Sequence, residues 1–322
     1  MQLKKLTLIL ILIAVAVGVI TYAAIDYIPA AATPVSTVLP KTTEQQPQQL
    51  FTFGNTDNSK LKQPIAVAVD GQGKIYVTDA GDSTVKIYRP NGKYEKSFGA
   101  KGTGNKNFRY PYGIVVLKNG DIAVADSINS NVRVFSNSGV YKKTILDTKQ
   151  KIRPGSLSID SAGNIYISDL LNHQIIVMNS AGKVTRKIKP AVSSLKYPQE
   201  VAFGQNAEKL WVADSGNFAV KEVDTKGAVE KIILSSGSPP QAFSLVRGIG
   251  VDNLDRLMVA DTENGTIHVI TRDGQEVFSF NGEGSPAGKL IYPSYILVDK
   301  SGKIYITDRG TGQVQVWGYQ KK

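Results

Sequence analysis

Cysteine is absent from the 322-residue chain, and histidine occurs only twice, at His173 and His268. The lack of cysteine excludes a disulfide framework, a thiolate nucleophile and a thiolate metal site. Neither histidine belongs to a HExxH segment, the arrangement that places two zinc ligands on one helix. The sequence therefore contains no sign of catalysis by thiolates or by clustered histidines, and the fold must be stable without cross-links.

What the chain does have is repetition. Six short segments end in aspartate, namely IYVTD, IAVAD, IYISD, LWVAD, LMVAD and IYITD. Their last residues are Asp79, Asp126, Asp169, Asp214, Asp261 and Asp308, which recur every 43 to 47 residues. This period is too long for a leucine-rich or ankyrin unit and is typical of a four-stranded propeller blade. Six copies therefore predict six blades.

Each copy contains four strand signals. In the first copy these are IAVAV, IYVTD, VKIY and KYEKSFG, with the turns DGQG and PNG between them. The first run is apolar on both faces, as the innermost strand must be, because neighbouring blades pack on both sides of it. The third run alternates, and the fourth is polar enough for an outer edge. The pattern predicts an all-β fold, a six-bladed β-propeller of four-stranded blades.

The sixth copy lacks its outer strand, since only GYQKK follows VQVW at 314–317. A spare strand is present near the other end of the chain, where LFTFG at 50–54 resembles the fourth-strand ending KSFG at 96–99. We expect residues 50–54 to pair with residues 314–317. Both ends of the chain would then lie in one blade, and the ring would close without a free edge.

Residues 6–25 contain no charged residue and follow Lys4 and Lys5. This run is about long enough for a helix to cross a bilayer core of roughly 30 Å. It is longer than the apolar region of roughly 7 to 15 residues in a cleaved signal peptide. The run therefore predicts a transmembrane helix within an N-terminal membrane anchor at 1–28, with cleavage as a signal peptide after Ala23 or Ala24 as the alternative.

Residues 29–49 are rich in proline, threonine and glutamine, a composition typical of a flexible linker. The propeller is predicted to occupy residues 50–322. Because lysines before an apolar span keep the amino terminus in the cytoplasm, we expect a single-pass protein of the cell membrane whose propeller lies outside the cytoplasm.

The formal net charge is +11, and residues 142–196 carry ten basic residues against three acidic ones. The candidate basic sector consists of Lys142, Lys143, Lys149, Lys151, Arg153, Arg186, Lys187 and Lys189. Outside the cell, such a sector would attract an anionic polysaccharide, an acidic protein or lipid head groups. The alternative is a solvated edge whose charges only prevent strand pairing between molecules.

Two stretches resemble a known repeat, PYGIVVLKNGDIAVADSINSNVRVF at 111–135 and ISDLLNHQIIVM at 167–178. A proline-led strand, a valine-alanine-aspartate ending and an asparagine-containing loop follow one another as in the NHL repeat. The chain resembles the NHL-repeat six-bladed propellers over residues 50–318, which implies the fold but no particular ligand. It departs from them five residues after each aspartate, where the family often has arginine and this chain has Thr84, Asn131, Gln174, Ala219, Thr266 and Gln313.

The six repeat aspartates could be read as a ring of metal ligands, but their occurrence once in every blade favours a structural role. Each of them ends a strand and begins a loop. A carboxylate at such a place accepts backbone N–H hydrogen bonds. We therefore expect these residues to hold the loops, and we predict no metal site.

A ligand site is expected where one copy departs from the others. At the second position after the residue that leads the inner strand, four copies have Ala, Gly or Ser, as crowding near the axis requires, and the other two have Glu200 and Tyr295. One position earlier lie Tyr112, Gln199 and Arg247, near the channel mouth where propellers bind ligands. These five residues are the candidate channel-mouth pocket. The alternative is that Glu200 and Arg247 only neutralise each other across the channel.

Two functions from different classes are compatible with these features. The favoured one is a tethered, monomeric binding or sensor module for a protein, a polysaccharide or another anionic surface ligand, with no cofactor. The alternative is an exported lyase or hydrolase that holds an oxygen-ligated divalent ion near Glu200. Export argues against nucleic acid as a partner, although the chain is basic.

Overall fold

The computed structural model describes residues 46–56, 59–146, 151–204, 209–234, 243–281 and 289–319. These residues belong to one compact unit, Gln45–Lys322. The predicted anchor at 1–28 and most of the predicted linker lie outside the described residues. None of the helices found in the described ranges has the length and apolar character needed to span a membrane.

The described residues form 24 strands, numbered β1 to β24 in chain order, in six antiparallel four-stranded sheets. Each sheet is one blade, which confirms the prediction of six four-stranded blades. The inner strands are β2 (Pro64–Val69), β6 (Pro111–Val116), β10 (Pro154–Ile159), β14 (Pro198–Phe203), β18 (Val246–Val251) and β22 (Pro293–Val298). The second strands are β3 (Ile75–Asp79), β7 (Ile122–Asp126), β11 (Ile165–Asp169), β15 (Lys209–Asp214), β19 (Leu257–Asp261) and β23 (Ile304–Asp308).

The remaining strands lie further from the axis. The third strands are β4 (Thr84–Tyr88), β8 (Asn131–Phe135), β12 (Gln174–Met178), β16 (Ala219–Asp224), β20 (Thr266–Ile270) and β24 (Gln313–Gly318). The outer strands are β5 (Tyr94–Phe98), β9 (Tyr141–Leu146), β13 (Val184–Ile188), β17 (Val229–Leu234), β21 (Glu276–Phe280) and, from the beginning of the propeller, β1 (Gln48–Phe53).

The inner strand of each blade contacts the inner strand of the next, and β22 contacts β2. The blades therefore form a closed ring around a central channel. Inner strands begin and second strands end on one face of the ring, which we call the aspartate face. Inner strands end on the other face, which we call the turn face because the first turn of each blade lies there.

The ring is closed by strand pairing between the two ends of the propeller. β1 pairs antiparallel with β24, so that Phe53 lies opposite Val314 and Phe51 opposite Val316. Pairing begins at Gln48, opposite Gly318, and thus two residues inside the range 29–49 that the composition assigned to the linker. The reason is that ladder hydrogen bonds use the backbone, so a polar glutamine can join the strand without an apolar side chain.

The phenylalanines of β1 also connect this blade to the next one. Phe53 is buried, and its ring centroid lies 4.6 Å from that of Tyr88 in the first blade. Gly92, in the last turn of the first blade, has φ +80°, and a Cβ there would lie 3.0 Å from Cβ of Phe53. A glycine is needed at this turn because the backbone is left-handed and the phenylalanine packs directly against it.

Side-chain hydroxyl groups join neighbouring blades close to the channel. Five of them, next to the repeat aspartates, donate to a carbonyl at the start of the following inner strand: Thr78 to Tyr112, Ser168 to Gln199, Ser215 to Val246, Thr262 to Pro293 and Thr307 to Ile65. In the second blade the corresponding hydroxyl, Ser127, is buried and has no partner among the described residues. These bonds fix the backbone that carries the mouth residues.

The closure makes a prediction about stability. Replacing Phe53 by alanine removes a buried ring that packs on both the sixth and the first blade, and we expect a loss of about 3 to 5 kcal/mol in the free energy of unfolding. Leu50 in the same strand is 50% exposed, so Leu50→Ala is the matched control and should cost less than about 1 kcal/mol. Urea unfolding of both variants measures the difference, and equal losses would contradict the proposed importance of the seam.

Candidate functional site

The six repeat aspartates are completely buried and bind the backbone of the loop that enters their own blade. Asp126, for example, accepts hydrogen bonds from the N–H groups of Arg109 at 2.9 Å and Tyr110 at 3.0 Å. Asn129 in the following loop donates its side-chain amide to the same carboxylate at 2.6 Å. The carboxylates are therefore occupied by protein donors. No group of three His, Cys, Asp or Glu residues within the described ranges could hold a metal ion.

In two blades a lysine seven positions after the aspartate compensates its buried charge. Nζ of Lys86 lies 3.0 Å from the carboxylate of Asp79, and Nζ of Lys221 lies 2.6 Å from that of Asp214. A search five positions after the aspartate, where relatives often have arginine, misses both residues. Comparing the six copies at the seventh position would have found them, because Arg133 and His268 also occupy it.

The candidate pocket divides into two layers. In the outer layer, at the start of the inner strands, the hydroxyl of Tyr112 donates to the side-chain carbonyl of Gln199. These residues belong to the second and fourth blades, so the bond crosses the channel. Arg247 lies in the same layer, with its guanidinium carbon 6.0 Å from the ring centroid of Tyr292.

The inner layer consists of Glu200 and Tyr295, which are 3% and 6% exposed. Glu200 accepts the backbone N–H of Ile249 at 2.8 Å and further hydrogen bonds from the N–H of Ile296 and the hydroxyl of Tyr295. Burial raises the pKa of Glu200 well above the ordinary value of 4.5, although these hydrogen bonds act to lower it. The carboxyl group thus links the fourth blade to the fifth and sixth.

No ion pair joins Glu200 to Arg247, both of which lie in the described part of the chain. The two side chains therefore do not form a direct ion pair. The physical reason is that backbone amides of the fifth and sixth blades point towards the axis at the level of Glu200 and bind its carboxyl group. The guanidinium group of Arg247 instead packs on an aromatic ring in the outer layer.

A cavity of about 960 Å³ extends along the channel towards the turn face. Glu200 and Tyr295 line it, together with the ends of all six inner strands. The last residues of these strands are half-buried and apolar: Val69, Val116, Ile159, Phe203, Val251 and Val298. The inner layer thus faces an apolar channel, whereas the outer layer belongs to the opposite mouth.

The candidate basic sector lies on the rim of two adjacent blades. Lys142 and Lys143 are on β9, Arg186 and Lys187 are on β13, and Lys189 follows β13. Lys142 is paired with Asp121 at 2.6 Å, and Arg186 donates to the carbonyl of Thr225. Lys149 lies outside the described residues.

The other described members of the basic sector form no ion pair with a described carboxylate. Lys143, Lys151, Arg153, Lys187 and Lys189 are exposed, and no ion pair joins any of them to another described residue. The sector therefore presents several separate, solvated positive charges on the outside of the ring.

Neither histidine lies in the channel. The ring of His173 packs edge-on against that of Tyr197 at 4.7 Å, and its Nδ1 accepts the backbone N–H of Tyr197. His268, on a third strand, has its Nδ1 3.3 Å from a carboxylate oxygen of Glu276. Both rings are thus part of packing outside the candidate pocket.

The buried lysine next to Asp79 predicts a large loss of stability on substitution. Lys86→Met keeps the apolar stem but leaves a buried carboxylate without its cation, and we expect a loss of about 3 to 5 kcal/mol. Lys62 forms an ion pair with Asp82, to which Lys86 is also paired, but the side chain of Lys62 is 63% exposed. Lys62→Met is therefore the matched control, with an expected loss below about 1 kcal/mol. The two changes are compared by chemical unfolding, and similar losses would refute charge compensation at Asp79.

The raised pKa of Glu200 predicts a pH dependence. Because the folded state holds the proton more tightly than the unfolded state, stability falls as the pH rises from the ordinary glutamate range through the raised value. Glu200→Gln removes this contribution, so the stability of the wild type relative to the variant should decline as the pH rises above the ordinary glutamate pKa of 4.5. Unfolding titrations at several pH values measure the difference.

The control for this pH effect is Glu263→Gln, which removes an exposed carboxylate. Its stability relative to the wild type should change little over the same range. A constant difference between wild type and Glu200→Gln at every pH would mean that Glu200 does not titrate as described.

Parts of this chain are similar in sequence to known proteins. The family model described as NHL repeat matches residues 108–135. The peptidylglycine alpha-amidating monooxygenase of Rattus norvegicus is 28% identical over 176 residues, which is 48% of this chain and 18% of that protein. Protein brain tumor of Drosophila melanogaster is 32% identical over 77 residues, 23% of this chain and 7% of that protein. The chain thus spans less than a fifth of the length of these relatives.

Solved structures share the fold over most of the chain. A streptogramin B lyase has a TM-score of 0.61 at 16% identity, covering 84% of this chain and 88% of that one. A gluconolactonase from Xanthomonas campestris has a TM-score of 0.63 at 14% identity, and the match covers 81% of this chain and 87% of that one. These identities support a common fold and nothing finer. The chain thus has the fold of a six-bladed β-propeller and contains a segment, 108–135, that matches the NHL repeat.

Proposed function

We propose that this protein is a membrane-tethered propeller outside the cytoplasm that binds an anionic surface polymer through its basic sector. The main support for this proposal is the set of exposed cations on two adjacent blades that have no carboxylate partner among the described residues. The uncharged run at 6–25 supports the tether. The binding surface would then face the polymers of the cell envelope.

The arrangement of the charges suits a polymer better than a small ligand. Lys143, Lys187 and Lys189 are exposed on the outer edges of the second and third blades and do not line a cavity in common. Each exposed charge interacts weakly in water and is screened by salt. A chain of anionic groups can contact several of them at once, and the weak contacts then add up.

A solvated edge that only prevents strand pairing is the competing hypothesis, and it makes a different prediction. Edge protection requires charges along outer strands but no particular excess on one part of the ring. Here the excess is concentrated, because residues 142–196 hold ten basic residues against three acidic ones. The concentration favours attraction to a polyanion.

The experiment is retention of the full chain, in detergent micelles, on immobilised polygalacturonate. We expect retention that weakens steeply between low and high salt, and a roughly hundredfold loss of affinity in the triple variant Lys143→Gln, Lys187→Gln, Lys189→Gln. The estimate uses about 1 kcal/mol for each lysine near an anionic surface. Neutral dextran should retain neither protein.

The matched control changes three exposed lysines on and after the first blade, Lys93→Gln, Lys96→Gln and Lys106→Gln. It alters the net charge by the same amount outside the basic sector. Equal losses in the two triple variants would show that only net charge matters, and retention indifferent to salt would contradict electrostatic binding altogether.

A further inference from the structure

The outer layer of the channel contains two arginines that depart from the repeat. Arg247 stands at the position occupied in other blades by Ile65, Tyr112, Gly155, Gln199 and Ser294. Arg309 follows the last repeat aspartate, where the other blades have Ala80, Ser127, Leu170, Ser215 and Thr262. At two repeat positions near the propeller axis, this chain thus has an arginine where the other five copies have a neutral residue.

One residue brings the two arginines together. The guanidinium group of Arg247 packs on the ring of Tyr292, and the backbone N–H of Arg309 donates to the carbonyl of Tyr292 at 3.1 Å. The side chain of Ser215 or Thr262, which occupies the position of Arg309 in another blade, reaches the start of the following inner strand. Because Arg309 has the same register, we expect its side chain to extend towards the channel mouth.

Tyr112 reports the same proximity from the other side of the channel. The positive charges of Arg247 and Arg309 both act to lower the pKa of its hydroxyl, against the larger effect of burial, which raises it. The hydroxyl itself donates to Gln199. Tyr112 and the two arginines therefore border one mouth on the aspartate face.

The arginines are not neutralised by the protein. Neither Arg247 nor Arg309 forms an ion pair with another residue in the described ranges. Nε of Arg247 is buried and has no hydrogen-bond acceptor there. A buried donor without an acceptor is unfavourable. Glu200, the nearby carboxyl group, is already bound to Ile249, Ile296 and Tyr295.

We propose that this mouth is a binding site for a small oxyanion, a carboxylate or a phosphate group, held by the guanidinium groups of Arg247 and Arg309. An arginine can bind such a group through Nε–H and one Nη–H together, and this use would satisfy the buried Nε–H of Arg247. The rings of Tyr112 and Tyr292 offer apolar faces beside the charge, which suits an aromatic or other planar acid. The site is separate from the basic sector and does not depend on its function.

The test is calorimetric titration of the full chain, in detergent micelles at low ionic strength, with benzoate, inorganic phosphate and benzylamine. We expect benzoate or phosphate to bind and benzylamine not to bind. Binding should weaken at least tenfold in Arg247→Gln and in Arg309→Gln. Whichever anion binds more tightly identifies the carboxylate or the phosphate as the natural group.

Three further variants test whether the paired donors at the mouth, rather than positive charge in general, hold the anion. Arg89→Gln removes an exposed arginine from the first blade and should leave anion binding unchanged. Arg247→Lys keeps the charge but lacks the paired donors, so it should bind more weakly than wild type while folding normally by circular dichroism. The triple lysine variant of the basic sector should retain anion binding, so a failure of the polymer proposal would be recognised separately.

The proposal is overturned if neither benzoate nor phosphate binds, or if their affinities are the same in wild type, Arg247→Gln and Arg309→Gln. Binding of benzylamine as tight as that of benzoate would also overturn it, because the tyrosine rings rather than the arginines would then provide the attraction.

Discussion

The pairing of β1 with β24 is the constraint on which the rest of the structure depends. Three strands of the sixth blade come from the end of the propeller and the fourth from its beginning, so the ring cannot close until nearly all of the chain has been placed. The mouth residues lie on the second, fourth, fifth and sixth blades. Closure brings Arg247 and Arg309, of the fifth and sixth blades, close to Tyr112 of the second blade, so the geometry of the mouth depends on the pairing of β1 with β24.

Five of the six blades form the same hydroxyl bond to the next blade, but they use residues at two different positions. The hydroxyl that reaches the next blade precedes the aspartate in Thr78, Ser168 and Thr307 and follows it in Ser215 and Thr262. A hydroxyl at either position can reach the inner strand of the next blade. The sixth blade uses Thr307 for this bond, so the position after its aspartate is available to Arg309. Redundancy in the structural role is thus what allows a charged residue to stand at the mouth without weakening the ring.

The sequence specified the blades well because their signal is local and repeated six times. The period and the spare strand follow from comparing the copies, and the strand order follows from the pattern within one copy. The strand predicted at 50–54 runs from Gln48 to Phe53, since backbone pairing leaves no mark on side-chain composition. The site was harder to predict. Comparison of the copies selected Glu200 as a departure and placed Arg247 one position earlier in the repeat, but their partners are the amide of Ile249 and the ring of Tyr292. Such partners lie in other blades, and sequence spacing does not reveal them.

The two candidate binding features differ in the electrostatics that they can use. Cations on the outer edge are surrounded by water, so each contributes little and selectivity among polyanions would be low. The guanidinium of Arg247 has its Nε buried against an aromatic ring, where a charge-assisted hydrogen bond is stronger because the local dielectric constant is lower. Specific recognition of a small molecule therefore fits the mouth, and broad adhesion fits the rim. A propeller carrying both could remain at an anionic surface while its channel mouth responds to a particular acid.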